Sequence, residues 1–332
     1  MTIDKIRVSI GSAAVLGLDS IKFEVAPTTC YIMTFKSGKC SANCGFCPQA
    51  RSSNSALEKL SRVVWPAYNF KDFLTKLKYT SPLKKFRRIC IQTLNYPENF
   101  QDLIEIISQI RKISDIPISV AIPPTSIEQL KELKSKGVER VGIALDGSTP
   151  VIFNKIKGRD VNSPYRWENH FECLRTALDI FGEGNVSTHI IIGLGETQKE
   201  VLSLINELRD LQILPGLFSF TPIKGTKLEN ISQPNIVNYR KIQLGRYLIL
   251  DKNRNLNTFT FDSKGDIIKF NMNKNLLKNI LDEDGAFLTP GCPGCNRPYY
   301  TSRPSGPIYN FPRKLADKEK EEIYQILKKF VN

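Results

Sequence analysis

KFRRICIQTLNYPENFQDLIEIISQIRKISDIPISVAIPPTSIEQLKELKSKGVERVGIALDGS (residues 85–148) decides the fold. Residues 85–95 read as a short apolar strand, and ENFQDLIEIISQIRKI as an amphipathic helix. DIPISVAIP is the next strand, SIEQLKELKSKG the next helix with Gly137 at its C-terminal end, and VERVGIALDGS a third strand. The alternation continues outward. PYRWENHFECLRTALDIFG is a helix with apolar positions at Trp167, Phe171, Leu174 and Leu178. NVSTHIIIGLG and LFSFTPIKG are strands around the helix TQKEVLSLINELRDL; NIVNYRKIQLGRYLIL is a further helix and NLNTFTFD a further strand. With TTCYIMTF counted as the first strand, about seven strands alternate with helices, which predicts an α/β fold with a parallel sheet: a (β/α) TIM-type barrel, closed or nearly closed. Residues 1–284 are expected to form the barrel, and 285–332 a C-terminal extension with a Cys/Pro/Gly-rich loop and a terminal helix.

The chain has 332 residues, 41% hydrophobic and 24% charged, a composition of globular proteins. Neither a signal peptide nor an apolar run long enough for a membrane span is read, so a cytoplasmic protein without disulfides is expected. The net charge of +14 comes from lysines spread along the chain (Lys71, Lys76, Lys78, Lys84 and Lys85, then Lys314 to Lys329). With no nucleic-acid-binding motif in view, it reads as solvated surface, or as steering toward an acidic protein. The only histidines, His170 and His189, argue against a His-ligated metal enzyme. Five of the eight cysteines fall in two close groups, which favours metal binding. Cys30 and Cys173 read as core.

The first group is KCSANCGFCPQAR, in which Cys40, Cys44 and Cys47 have the spacing C-x3-C-x2-C. Three thiolates can hold three irons of a [4Fe–4S] cluster and leave the fourth open; the alternative is an incomplete structural zinc site. The group follows the first predicted strand directly, which in a barrel places it on the C-terminal face, where active sites are built. The spacing, with Phe46 before the last cysteine, resembles the radical S-adenosylmethionine (SAM) superfamily. The resemblance implies a [4Fe–4S] cluster whose open iron is chelated by SAM, with Phe46 beside it.

Further segments extend the resemblance. HIIIGLGE (189–196) is similar to the superfamily's G-x-I-x-G-x-x-E strand, with His189 in place of the first Gly. Its Ile191, Gly193 and Glu196 are implied to line the cofactor site. LDGS (145–148) resembles the LDTS of biotin synthases, so Asp146 is implied to contact the SAM ribose or its methionine ammonium; FTPIKGT (220–226) resembles their strand-six Pro-Ile-x-Gly-Thr, which places Ile223 by the adenine. Biotin synthases hold a second, sulfur-donating cluster with three Cys and one Arg, and Cys90 matches the first of these cysteines. The other ligands have no counterpart, but CPGC adds Cys292 and Cys295 near the end of the chain. Cys90, Cys292 and Cys295 are therefore expected to hold a second, auxiliary Fe–S cluster at the barrel mouth. Against this, Cys292 and Cys295 could form a zinc knuckle or redox dithiol, and Cys90 a buried structural thiol. For a fourth ligand, Ser302, Ser305, Arg297 and Arg303 are candidates.

The core together with GCPGCNRPYY and RPSGPIYNFPR resembles one component of the archaeal two-component lipoyl synthases. That resemblance implies radical-driven sulfur insertion into a protein-bound octanoyl chain, with the second cluster as sulfur source. The implied partners are an octanoylated lipoyl carrier or H protein, a paralogous radical SAM protein and an electron donor such as ferredoxin. The alternatives are a biotin synthase or other small-molecule sulfur-inserting enzyme, and a non-enzymatic zinc or Fe–S protein that binds RNA.

Overall fold

The computed structural model describes residues 3–83 and 85–332; Met1, Thr2 and Lys84 lie outside them. The chain opens with β1 (Lys5–Val8), α1 (Ile10–Leu16) and β2 (Thr29–Met33). The long loop after β2 carries a small hairpin of β3 (Lys59–Leu60) and β4 (Val63–Val64), followed by β5 (Ala67–Asn69) and α2 (Phe70–Thr80). Strand and helix then alternate through β6 (Arg88–Gln92), α3 (Asn99–Arg111), β7 (Ile118–Ala121), α4 (Ile127–Ser135) and β8 (Val138–Gly142). After α5 (Pro150–Ile156) and α6 (Trp167–Phe181) come β9 (Val186–Ile192), α7 (Gln198–Asp210), β10 (Leu214–Ser219) and α8 (Ile236–Leu250). The chain ends with β11 (Thr260–Phe261), β12 (Ile267–Lys269), α9 (Lys274–Glu283) and α10 (Asp317–Leu327).

The helices begin where short polar side chains take up free backbone N–H groups. Ser126 with Gln129 opens α4 and Thr197 with Glu200 opens α7, both as capping boxes. Thr149, with Pro150 in the first turn, opens α5. The apolar stripe of α3, Leu103, Ile106, Ile107 and Ile110, is buried against the sheet.

The main sheet has the order β10-β9-β8-β7-β6-β2-β1-β5. Strands β2, β6, β7, β8, β9 and β10 run parallel, as the alternation predicts, and β1 adds antiparallel to β2 with β5 antiparallel to β1. Successive residues of a strand face opposite ways. Ile89 and Ile91 of β6 join the helix-covered core, so Cys90 and Arg88 between and before them face the interior. Their register partners Tyr31 and Thr29 on β2 share that face.

Two features depart from expectation. NLNTFTFD adds no strand to the main sheet: Leu256–Thr258 is a 3-10 turn, and β11 pairs only with β12. Among the described residues, no hydrogen-bonded ladder joins β10 to the far edge. The segment after α9 runs between β10 and the approach to β2. It bonds to the approach to β2 through Asn296 Nδ2 to Ala26 O (2.9 Å), and Thr28 N to Asn296 Oδ1 (3.0 Å). It reaches β10 through Ser219 Oγ to Thr301 O (3.2 Å) and Asn310 Nδ2 to Leu217 O (3.0 Å).

Arg240 of α8 fastens this segment. It is 4% exposed, donates to Tyr309 O (2.6 Å) and to Ile308 O, and lies 5.0 Å from the Phe311 ring centre. Burial lowers its pKa to about 10, so it stays charged at pH 7. Arg240→Met leaves Ile308 O without its donor and Tyr309 O with Gln243 Nε2 alone (2.9 Å), and is expected to destabilise the protein by about 3 kcal/mol. Urea denaturation measures this, and limited proteolysis near residues 297–311 reports whether the tail loosens first.

Candidate active site

The loop carrying Cys40, Cys44 and Cys47 is tied to the C-terminal ends of several strands. Ser41 N–H donates to Asn95 O (2.7 Å) beyond β6, and Gly45 N–H to Ile156 O (2.7 Å) at the end of α5. Leu228 N–H, beyond β10, donates to Gly45 O (3.1 Å). Gly225, at φ +86°, lets the turn after β10 reach this loop; a Cβ there would stand 2.5 Å from Ser55 N. Inside the loop, Cys40 N–H donates to Gln49 O (2.9 Å) and Cys47 N–H to Cys44 O (3.0 Å).

The three thiols are free, and they share one environment. Burial holds Cys44 well above the usual thiol range, opposed chiefly by the Lys157 charge; burial pushes Cys47 up to about 12. Among the described residues, no three His, Cys, Asp or Glu side chains converge tightly enough for a single metal ion. A zinc ion needs its thiolates at about 2.3 Å, whereas a cubane spreads its irons over its corners. The Asn95 N–H donates to Cys40 Sγ (3.1 Å), the bond a cluster thiolate accepts. Three thiols and one donor to sulfur, with no fourth cysteine at the loop among the described residues, fit a [4Fe–4S] group with one open iron.

Asp146 lies beside the triad at the end of β8, with a left-handed backbone (φ +64°). Its N–H donates to His189 O (2.8 Å), and its own C=O accepts from Ile191 N–H (2.9 Å), which fixes it to β9. Its carboxylate accepts from Lys157 Nζ at 2.7 Å, in an ion pair whose side chains are 11% and 7% exposed. Lys157 also donates to Ala144 O (2.5 Å) and lies 5.2 Å from the Tyr165 ring centre. Tyr165 OH accepts from Asn95 Nδ2 (3.2 Å). Lys157 was not anticipated from the sequence, nor was α5 before it. The Thr149-Pro150 cap was the signal that could have found the helix.

Phe46 and Ile191 pack on one apolar cluster with Leu194, Phe220 and Leu228. Ile223 is buried at the turn after β10 but is not part of that cluster. Gly193 takes a positive φ (+106°), and a Cβ there would meet Pro234 Cδ at 2.9 Å, so both its backbone and its surroundings call for glycine. Glu196 folds back to accept from Gly193 N–H (2.5 Å) and Leu194 N–H (2.9 Å), so its carboxylate shapes the glycine turn.

The second cysteine set lies toward the N-terminal ends of the strands, with Cys90 on the inward face and the CPGC turn partly exposed. Gly294 O accepts from Thr28 Oγ1, at the start of β2, and Gly294 sits against Arg87, just before β6. The tail enters from the N-terminal ends of the strands, which its sequence does not reveal. The Cys292–Cys295 turn closes with Cys295 N–H to Cys292 O (3.0 Å). Cys295 Sγ is 3.0 Å from Tyr31 OH. Burial pushes Cys90 up to about 12, with Cys292 the next cause and Cys295 also contributing, so the three thiols stand within electrostatic reach of one another. Around them, Arg88 Nε and Nη1, Arg297 Nε and Thr29 Oγ1 are buried without hydrogen-bond partners. Of these, Arg88 and Thr29 share the inward face of the sheet with Cys90, and unpartnered buried donors on that face are compatible with an anionic group there. Of the suggested fourth ligands, Arg303 and Ser305 are exposed, and Ser302 accepts from Tyr309 N–H (3.0 Å). Arg297 comes near Cys295: its Nη2, which donates to Pro290 O, and Cys295 Sγ both lie within 4 Å of the Cβ position at Gly291, and its guanidinium lies 4.0 Å from the Phe218 ring centre. Cys30 and Cys173 are in the hydrophobic core.

A biotin synthase from Methanococcus aeolicus is 29% identical over 212 residues, covering 63% of this chain and 60% of that protein. One from Clostridium tetani is 29% identical over 208 residues, covering 60% and 58%. The chain thus spans about three fifths of the length of these curated relatives. Among solved structures, methylornithine synthase superposes with a TM-score of 0.50 at 15% identity, over 66% of this chain and 62% of that one. The [FeFe]-hydrogenase maturase of Carboxydothermus hydrogenoformans gives 0.51 at 17% identity, over 68% and 52%. These two show the likeness of fold alone. The family model described as the Radical SAM superfamily matches residues 35–208, more than half of the 332. The chain belongs to the radical SAM superfamily.

Proposed function

We propose that this radical SAM enzyme inserts sulfur into a protein-bound octanoyl chain, as one component of a two-protein lipoyl synthase. The observation that carries this reading is an apolar cluster of Tyr31, Met33, Trp65, Leu94 and Tyr96, on which both cysteine sets pack: Cys40 from the triad, Cys90 and Cys295 from the second set. This buried cluster joins the radical source and the sulfur source by one apolar wall, the kind of surroundings an aliphatic chain reacting between them requires. When bound, the reduced [4Fe–4S] cluster and SAM supply a radical that removes hydrogen from carbon, and the auxiliary cluster supplies sulfur.

The chain's own residues bind, orient and exclude water. Lys157 holds Asp146 against the triad; Phe46 and Ile191 offer an apolar wall; Arg88 and Arg297 supply positive charge near the second thiol set. A dry, shaped site protects a carbon radical from solvent. The partners in this reading are an octanoylated lipoyl carrier or H protein, a paralogous radical SAM protein, and a one-electron donor of the ferredoxin type. A second reading, sulfur insertion into a small molecule, is favoured by the names of the relatives, which are biotin synthases.

Incubation of the reduced, cluster-reconstituted protein with its paralogous partner, SAM and either octanoyl-lysyl peptide or dethiobiotin separates the two; thiolated product from dethiobiotin alone rejects the octanoyl reading. The double variant Cys292→Ala/Cys295→Ala is expected to lose about four irons per chain and all C–S product, yet still to form 5′-deoxyadenosine. Iron and sulfide assays with chromatography of the nucleoside products check this. Lys157→Met strands a buried carboxylate and is expected to raise the KM for SAM about tenfold or more, while Lys157→Arg recovers part of the loss. An unchanged KM in Lys157→Met removes Lys157 from the SAM site.

A further inference from the structure

Beside the triad, on the β6–β7 side, a cleft of about 990 Å³ opens to solvent. Three arginines line it: Arg51 from the cluster loop, and Arg159 and Arg166 from the connection between α5 and α6. The remaining lining is amides, hydroxyls, prolines and tyrosines, without one Asp or Glu, in a chain where one residue in ten is acidic (33 of 332).

Two of the arginines are held by backbone carbonyls rather than by acids, and Arg159 is exposed. Arg51 Nη2 donates to Asn162 O (2.9 Å), and Arg166 Nη1 to Ser163 O (3.0 Å) and Tyr165 O (2.7 Å). None of the three is in an ion pair among the described residues. Their charge is therefore uncompensated. A guanidinium held by carbonyls keeps N–H groups directed outward and loses little entropy on meeting a carboxylate.

The cleft leads to the chemistry. Asn95 and Tyr165 line it, and these same residues bond to each other and flank the triad. Its lining does not suit an aliphatic chain, which has no group for amides and arginines to bind. Its volume is at the upper end of small-molecule sites, about 300–1,000 Å³, and it lies open along one side, which suits a length of polypeptide.

We propose that this cleft docks an acidic segment of the protein that bears the acyl chain, so that the modified lysine enters beside Asn95 and Tyr165. The proposal rests on the carrier reading above and adds the surface that recognises the carrier.

The test uses the reconstituted full-length protein with its paralogous partner, and the double variant Arg159→Glu/Asn169→Glu, whose two positions are exposed cleft residues away from the cysteines. The substrates are an octanoylated acidic lipoyl carrier domain and a short octanoyl-lysyl peptide without acidic residues. The variant is expected to raise the KM for the carrier about tenfold at low salt, to flatten its salt dependence, and to leave the KM for the peptide unchanged. Equal carrier KM values for wild type and variant overturn the docking proposal while the carrier reading stands. Parallel loss with carrier and peptide also overturns it, because the cleft then belongs to a small-molecule subsite. Wild-type protein active on dethiobiotin and on neither octanoyl substrate overturns both.

Discussion

The Lys157–Asp146 ion pair is the contact on which the surroundings of the triad depend. Both side chains are nearly closed to water, so each charge has lost most of its hydration. Such pairs persist only when further polar contacts offset that loss. Here Ala144 O accepts from Lys157, the Tyr165 ring lies 5.2 Å from its ammonium, and two backbone hydrogen bonds tie Asp146 to β9. The pair thereby joins α5, β8 and β9 at the point where the cysteine loop is fastened to the end of α5. Removing either partner leaves an uncompensated charge beside the thiols.

A parallel sheet that stops short of closing exposes edges that invite unwanted pairing. The chain lays its own tail between β10 and the approach to β2, with hydrogen bonds to each. Arg240 makes that arrangement definite: a buried cation with carbonyl acceptors on the tail fits one register and no other. The same segment delivers Cys292 and Cys295, so barrel coverage and assembly of the second thiol set are one structural event.

Much of this was legible in the sequence. The parallel strands and their helices announce themselves by apolar period, and the triad by spacing. What escaped depends on tertiary context. NLNTFTFD has the composition of a strand, but β-propensity reports fitness for a pleated surface and names no neighbour. The CPGC segment was identifiable as a thiol pair, yet a loop of glycines and prolines carries no periodicity from which its path can be read, and its entry at the N-terminal ends of the strands was not foreseen. Lys157 escaped because a lysine in a charged stretch (KIKGRD) reads as surface; only the fold turns it inward.

His189 sharpens the view of the interior. It stands where the related pattern has glycine, and its ring packs 4.8 Å from that of Phe218. Burial lowers its pKa to about 4, with Asp146 opposing and Arg297 and Lys157 reinforcing the shift, so it is neutral at pH 7. Filling the position with an uncharged imidazole leaves the charge of the interior to other groups. Asp146 is matched by Lys157, and Arg88 meets Glu139, which is itself 43% exposed. Arg297 has no ion-pair partner among the described residues, and Arg88 retains unused donors on its buried side. An apolar, mostly dry space with surplus positive charge is costly unless anions complete it. Thiolates and sulfides at Cys90, Cys292 and Cys295 are the groups that would do so. The unpartnered arginine donors on the inward face are thus intelligible as one half of a charge balance whose other half would be an anionic group held by those thiols.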